Sequence, residues 1–188
     1  MSTHPLLEPL QTERFILTPL GRFGAFKLSY PWNRDPEIMS NLFYSPLPTK
    51  PWRWFRKRTW ANGKTKFSHA IRVREDGKPI GMHVVFLYPY RSAQLMVVVS
   101  DRAWWGKKVV EEVRRALIDH LFEAGVVDRI CCEVSPRNMP SVFNYQKLGF
   151  THVGTQHNAK CDPTTGKTSD VLVFELLRDD WTARRGKQ

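Results

Sequence analysis

Residues Trp104-Trp105-Gly106-Lys107-Lys108-Val109-Val110-Glu111-Glu112 join an apolar strand-like run, Leu95 to Val99, to an amphipathic helix-like run that ends near Ala124. A strand, a tight Gly-containing turn and a helix start gather unpaired backbone N–H groups at the positive end of a helix dipole. Such an arrangement binds phosphate. One Gly in a turn specifies little by itself. The signal gains weight from a second segment, Asn138 to Phe150.

Other chemistry-bearing residues are sparse. Three cysteines do not make a disulfide framework. Cys131 and Cys132 are adjacent in a predicted strand, so their side chains point to opposite faces, and both read as small core residues. His157 and Cys161 stand close in sequence, but no second pair accompanies them, and zinc sites bring four ligands in characteristic spacings. No metal site is expected.

The 188 residues suit one domain with a sizeable core, and 41% of them are hydrophobic. No apolar run reaches the roughly 18 residues of a membrane span. Met1-Ser2-Thr3-His4-Pro5 lacks the charged-then-apolar pattern of a secretory signal. A cytoplasmic protein without a membrane partner is the expectation.

The net charge of +11 is concentrated. Between Ile38 and Arg74 lie nine Lys or Arg residues and no Asp or Glu, interleaved with Trp52, Trp54, Phe55, Trp60 and Phe67. Basic side chains beside stacking platforms suit single-stranded nucleic acid or an acidic partner. The simpler reading is a helix that buries Trp52, Phe55 and Trp60 and leaves a solvated basic face.

The elements that must position these residues follow from periodicity and punctuation. Phe15 to Thr18 reads as a strand stopped by Pro19, and Gly21 to Tyr30 as a short helix. Asp35-Pro36 is a helix start, running to about Tyr44. Trp52 to Trp60 is helical in pattern, and Asn62-Gly63 is a turn. Strands follow at Lys66 to Arg74, Pro79 to Tyr88 and Ala93 to Ser100. Gly81 marks a bulge or close approach. Val109, Val113, Leu117, Leu121 and Ala124 recur at helical spacing, with Gly125 as the stop. Asp128 to Ser135 is a further strand, and Pro140 opens a short helix that Gly149 closes. Phe150 to Thr155 and Ser169 to Leu177 are the last strands, joined by the turn-rich Asp162 to Gly166. Residues 1–10 read as a loose N-terminal segment, 11–178 as the domain, and 179–188 as a frayed basic tail. The central strand–helix–strand crossover places a parallel pair inside an otherwise antiparallel sheet. A helix start where two such strands part is a ligand crevice.

The order of elements and three segments resemble the GNAT acyltransferase superfamily, and within it the RimJ/RimL-like branch of ribosomal-protein N-terminal acetyltransferases. The segments are Leu10 to Leu20, Trp104 to Glu112, and Asn138-Met139-Pro140-Ser141-Val142-Phe143-Asn144-Tyr145-Gln146-Lys147-Leu148-Gly149-Phe150. Trp32 to Pro36 also fits. The third segment is the specific one.

The resemblance implies an α/β (α+β) fold with a mixed, mostly antiparallel sheet of about seven strands, flanking helices and a β-α-β acetyl-CoA crossover. It implies acetyl transfer from acetyl-CoA, as co-substrate, to an amine on a protein N-terminus or a small molecule. By the family pattern, backbone groups of Val97, Val98 and Val99 hold the pantetheine arm. The turn from Trp105 through Gly106, Lys107, Lys108 and Val109 to Val110 holds the pyrophosphate. Asn138 and Ser141 contact the cofactor, and Tyr145 protonates the departing thiolate. Direct attack by an amine on a thioester needs no Ser or Cys nucleophile. It needs orientation, an oxyanion site and a proton for sulfur.

Two departures from the family pattern stand out, one in the turn and one on the strand before it. Lys108 and Val110 replace a Gly and a small residue, adding charge near the phosphates or crowding them. At Gln94-Leu95 the common carboxylate base is missing. Glu133, Asp101 and His83 are the substitutes, or the proton drains through water. The basic segment falls where relatives shape the acceptor site, and could steer a ribosomal or RNA-associated partner. The competing reading is a catalytically degenerate domain that binds RNA or a protein through residues 50–66.

Overall fold

Apolar residues pair eight segments of the described chain into one sheet, with helices on both faces. The computed structural model describes residues 4–42, 61–161 and 166–186, the side chains of Ser40 and Asn41 excepted. The strands are β1 (Leu10–Gln11), β2 (Phe15–Leu20), β3 (Lys66–Val73), β4 (Pro79–Tyr88), β5 (Ser92–Val99), β6 (Arg129–Val134), β7 (Thr151–Cys161) and β8 (Thr168–Leu177). The helices are α1 (Arg22–Ser29), α2 (Pro36–Asn41), α3 (Val109–Glu123), α4 (Met139–Lys147) and α5 (Arg178–Arg185). The eight strands lie in the order β1-β2-β3-β4-β5-β6-β8-β7. All neighbours are antiparallel except β5 and β6.

The class matches the sequence expectation. The strand count exceeds it by the two-residue β1, which is too short for an alternation to register. Pro19 does not stop β2 at Thr18. The strand continues to Leu20 because β1 pairs only with Ile16 and Leu17, leaving Pro19 an edge position where no ladder hydrogen bond is lost. Part of the expected helix from Pro36 to Tyr44, the helix over Trp52 to Trp60 and the turn at 162–165 lie outside the described residues.

Strand alternation sorts the core into two clusters. On one face Leu17, Ile71, Val85, Leu95 and Ile130 pack beneath α3, whose Val113, Leu117 and Leu121 are 0 to 1% exposed. On the other, Met82, Val84 and Val98 meet Ala25, Trp32, Ile38 and Met39 from the α1 and α2 region. The apolar period read from the sequence is therefore the buried stripe of α3. Gly125, at φ 64°, ends that helix, and Gly149, at φ 89°, follows α4.

Both ends of the described chain are docked rather than loose, which corrects the expected boundaries. Leu6 is 1% exposed within the core beneath α3. His4 stacks on Phe67 at 4.5 Å between ring centroids, and the carbonyls of Leu6 and Pro5 meet His69 and His120. At the other end α5 replaces the frayed tail. Its Trp181 packs on Phe122 at 5.3 Å and donates Nε1–H to Asp119 Oδ1 at 2.7 Å. At each end one large apolar side chain, Leu6 or Trp181, is anchored together with the hydrogen bonds beside it. Among the described residues no helix is long and apolar enough to cross a membrane.

Candidate functional site

The site begins where β5 and β6 part. They pair in parallel only at Ser92↔Arg129, Ala93↔Ile130 and Gln94↔Cys131. Beyond Gln94, β5 continues to Val99 with β4 on one side and, among the described residues, no strand on the other. The Leu95 N–H is engaged by the Cys132 thiol. The β5 edge that follows faces a cavity of about 1010 Å³ bounded by α3, β6 and α4. This cavity passes through the sheet. Trp104, Val109 and Tyr145 line it on the α3 face, and Ile38, Phe86 and Met96 on the α2 face.

Gly81 sets the position of the β5 edge. A Cβ there would lie 2.2 Å from the Val98 carbonyl oxygen, so only Gly permits this approach of β4 to β5. Val97 and Val99 turn their side chains toward the core beneath α3, and Val98 turns toward the α2 side. All three line the cavity.

The turn after β5 is braced at several points. Asp101 Oδ1 accepts from the Ala103 N–H at 3.1 Å and caps a single 3₁₀ turn, Arg102–Trp104. Trp105 Nε1 donates to the Val99 carbonyl at 2.8 Å. Gly106 and Lys108 both have positive φ, 74° and 59°. Lys108 is the N-cap of α3, in a left-handed conformation and with no side-chain cap hydrogen bond. The first N–H groups of α3 therefore open at the cavity without an internal acceptor. Gly106, Lys108, Val109 and Val110 line the cavity, as does Trp105. The backbone N–H groups of Trp105 and Lys107 are already used within the turn, bonded to Arg102 and Trp104 carbonyls. Lys107 lines a shallow groove on the outer side, with Thr12, Arg14 and Glu112.

That groove holds the brace. Glu112 accepts from Thr12 Oγ1 at 2.6 Å, the Arg14 N–H at 2.8 Å and Arg14 Nε at 2.7 Å. Arg14 Nη2 in turn donates to the Lys107 carbonyl at 3.0 Å. Burial pushes the Glu112 carboxyl up, but the hydrogen bonds from Thr12 and Arg14 hold it below its ordinary value.

Across the cavity, Asn138 caps α4, its Oδ1 accepting from the Ser141 N–H at 3.3 Å. Asn138 and Ser141 both line the cavity. One turn on, Tyr145 is 3% exposed. Its ring stacks on Phe174 at 5.6 Å and meets the Phe150 ring edge-on at 5.2 Å. Its hydroxyl meets the Cys132 thiol and the Ser141 hydroxyl, and burial pushes its acidity well below that of a free phenol.

Arg114 was not legible as a site residue. Its guanidinium carbon lies 4.3 Å from the centre of the Tyr145 ring, it is 2% exposed, and it lines the cavity. The available signal was its register: Arg114 stands three residues before Leu117 and seven before Leu121, in the buried stripe of α3.

The candidate bases separate clearly. Glu133 lines the cavity and pairs with Lys160 Nζ at 3.2 Å. Asp101 lies off the cavity; its hydrogen bond with Lys78 at 2.8 Å holds its carboxyl low. His83 is fully buried within the sheet and outside the cavity, and burial holds its imidazole well below the ordinary value. Gln94 lines the cavity and accepts from Tyr88 Oη at 3.0 Å. His157 pairs with Asp170 at 3.1 Å, and no group of three metal-ligating side chains occurs among the described residues.

A model of the acetyltransferase (GNAT) domain matches residues 14–151. An N-acetyltransferase named p20 from Bacillus licheniformis, described as uncharacterized, is 25% identical over 181 residues, covering 93% of this chain and 99% of that protein. The fold is similar to that of spermidine N-acetyltransferase from Vibrio cholerae, solved with CoA and spermine, at TM-score 0.76 and 19% identity. That match covers 90% of this chain and 98% of the other. A GNAT-family acetyltransferase from Bacillus anthracis matches at TM-score 0.74 and 17% identity, over 92% of this chain and 99% of the other. With the matched residues running from the Arg14 brace to the start of β7, and the parted strands between them, this chain belongs to the GNAT family of acetyltransferases.

Proposed function

We propose that the protein is an acetyl-CoA-dependent N-acetyltransferase that acetylates a primary amine by direct attack. The observation that carries this reading is the unpartnered edge of β5 leading to the uncapped start of α3. An extended pantetheine arm needs a strand edge to bond with, and a pyrophosphate needs free N–H groups at a helix start. This cavity offers both. Gly106, Lys108, Val109 and Val110 surround the phosphate position, and Asn138 and Ser141 face it from α4.

In this reading the amine enters from the α2 side, past Ile38, Phe86 and Met96. Nitrogen attacks the thioester carbonyl carbon, and N–H groups of the β5 edge stabilise the oxygen as it gains charge. Glu133 takes the proton shed by the amine, directly or through a water. Tyr145 turns its O–H from Cys132 to the leaving sulfur and supplies the proton there.

Charge in the cavity narrows the acceptor. Its two carboxylates among the described residues, Glu111 and Glu133, are paired with Lys147 at 2.7 Å and Lys160 at 3.2 Å. A polyamine, with several cations to neutralise, is poorly served. An acceptor with one amine on an apolar body, including a protein N-terminus of the kind RimJ/RimL-like enzymes modify, fits better. A cytoplasmic ribosomal or RNA-associated partner held by the basic segment stays a proposal, and most of that segment lies outside the described residues.

Calorimetric titration with acetyl-CoA, with CoA as control, tests the reading. Micromolar binding followed by thiol release in the presence of amines supports it. Absence of binding favours the catalytically degenerate domain, and salt-dependent binding of RNA to residues 50–66 would then be the next measurement.

A further inference from the structure

Arg114 is a cation in a place that should not hold one. It sits in the buried stripe of α3, 2% exposed, and among the described residues no carboxylate pairs with it. Nη1 donates to Asn144 Oδ1 at 2.8 Å, and Nε is buried without a hydrogen-bond partner. A fully buried guanidinium with no counter-charge costs stability, and replacement by an apolar side chain is the cheaper solution for a core. The charge therefore has to be accounted for by what surrounds it. Its guanidinium carbon lies over the ring of Tyr145, at 4.3 Å from the centroid, and Asn144 holds it from the residue adjacent to Tyr145. The Tyr145 ring is packed on its other contacts by Phe150 and Phe174, so Arg114 is the charged group of its cage.

We propose that Arg114 is a positioning residue that holds the Tyr145 phenol at the parted strands and stabilises the phenolate left when its proton passes to the leaving thiolate. The inference rests on the proposed role of Tyr145 as the acid. The balance is simple. The C–N bond forms and the nitrogen sheds its proton to Glu133, the C–S bond breaks, the thiolate sulfur takes the Tyr145 hydroxyl proton, and the proton shed by the amine returns through solvent to the transient phenolate. During that interval the guanidinium acquires the counter-charge the resting structure lacks. Cation–π attraction aligns the ring before the step, and charge–charge attraction favours the step itself. The pull of Arg114 on the Tyr145 hydroxyl already opposes the effect of burial in the resting protein.

The test is a double-mutant cycle on kcat with Arg114→Met and Tyr145→Phe. Arg114→Met is expected to lower kcat roughly tenfold while KM for acetyl-CoA stays within about twofold, since the backbone N–H groups proposed to hold the cofactor are unchanged. In the Tyr145→Phe background the same substitution should change kcat by less than about twofold, because the phenol it acts on is gone. Arg114→Lys, which keeps charge but not the flat fork, should fall between the wild type and Arg114→Met and also covers the case in which Arg114→Met fails to fold. An unchanged kcat in Arg114→Lys and Arg114→Met overturns the proposal, as does an equal loss in both backgrounds, the signature of a merely structural residue. If Tyr145→Phe itself leaves kcat unchanged, the acid assignment fails, and Arg114 falls with it for a reason the cycle identifies separately.

Discussion

Arg14 and Glu112 stand 98 residues apart in the chain and meet at 2.7 Å across the outer side of the turn before α3. The pair connects β2, at the far side of β3 and β4, to the helix whose start faces the cavity. Because Arg14 also grips the Lys107 carbonyl, the turn is held from behind as well as from within.

Removing Glu112 should loosen that turn. Glu112→Ala leaves the Arg14 backbone N–H and Nε without their acceptor and the Thr12 hydroxyl with only the longer Phe15 carbonyl contact at 3.2 Å. The expected loss is about 2 kcal/mol, or roughly 6 °C in Tm, with hydrogen bonds to a partly buried carboxylate as the source. Acetyl-CoA affinity should fall as well, read by calorimetry. A variant that keeps its Tm would show the brace to be dispensable.

Lys108 carries two opposed effects. Its left-handed backbone costs a residue with a Cβ about 1 kcal/mol, which Gly avoids. Its exposed ammonium sits beside the uncapped helix start. Lys108→Gly should therefore raise Tm yet weaken acetyl-CoA binding by about threefold at low salt, and the loss should shrink as salt rises. Tighter binding by Lys108→Gly would mean that the side chain crowds the phosphates.

Gly81→Ala tests the β5 edge from the opposite side of the sheet. A Cβ 2.2 Å from the Val98 carbonyl oxygen cannot be accommodated without separating the strands. Destabilisation of about 3 kcal/mol is expected, with the scale set by overpacking at a backbone contact. Binding of acetyl-CoA should suffer more than in a surface control, since Val97 to Val99 move with the strand.

Acid should weaken the fold through its buried histidines. Burial pushes His69 down to about 4 from an ordinary 6.5, against the pull of the Leu6 carbonyl, with the charge of His120 a lesser downward effect. His83 moves the same way, through burial and the nearby Arg114 and His69. Both are neutral when folded, whereas the unfolded chain binds protons below about 6.5. Their stabilisation is complete above that value and is lost as pH falls from about 6.5 toward 4. For His69 alone the loss approaches about 3 kcal/mol at pH 4. Urea titrations at pH 7.5 and 4.5 should show it, and His69→Gln should flatten part of the difference. Equal stability at the two values would contradict neutral burial.

Local pattern in this chain determined more than composition did. The stripe Val109, Val113, Leu117 and Leu121, the stops at Gly125 and Gly149, the turn at Gly106 and the helix start at Pro140 are all readable because each depends on neighbours within a few residues. The same holds for the close approach at Gly81, where the absence of a side chain is itself the signal. What only the tertiary structure decided involves partners far apart in sequence. The Arg14–Glu112 brace, the docking of Leu6 and Trp181, the pairing of Glu133 with Lys160 and the placement of Arg114 against Tyr145 all arise when the sheet brings distant strands and helices together. A charged residue in a helix reads as solvated unless its neighbours across space are known. Arg114 became visible only when α3 and α4 closed over the parted strands, because burial is a property of the assembled core and not of the residue that is buried.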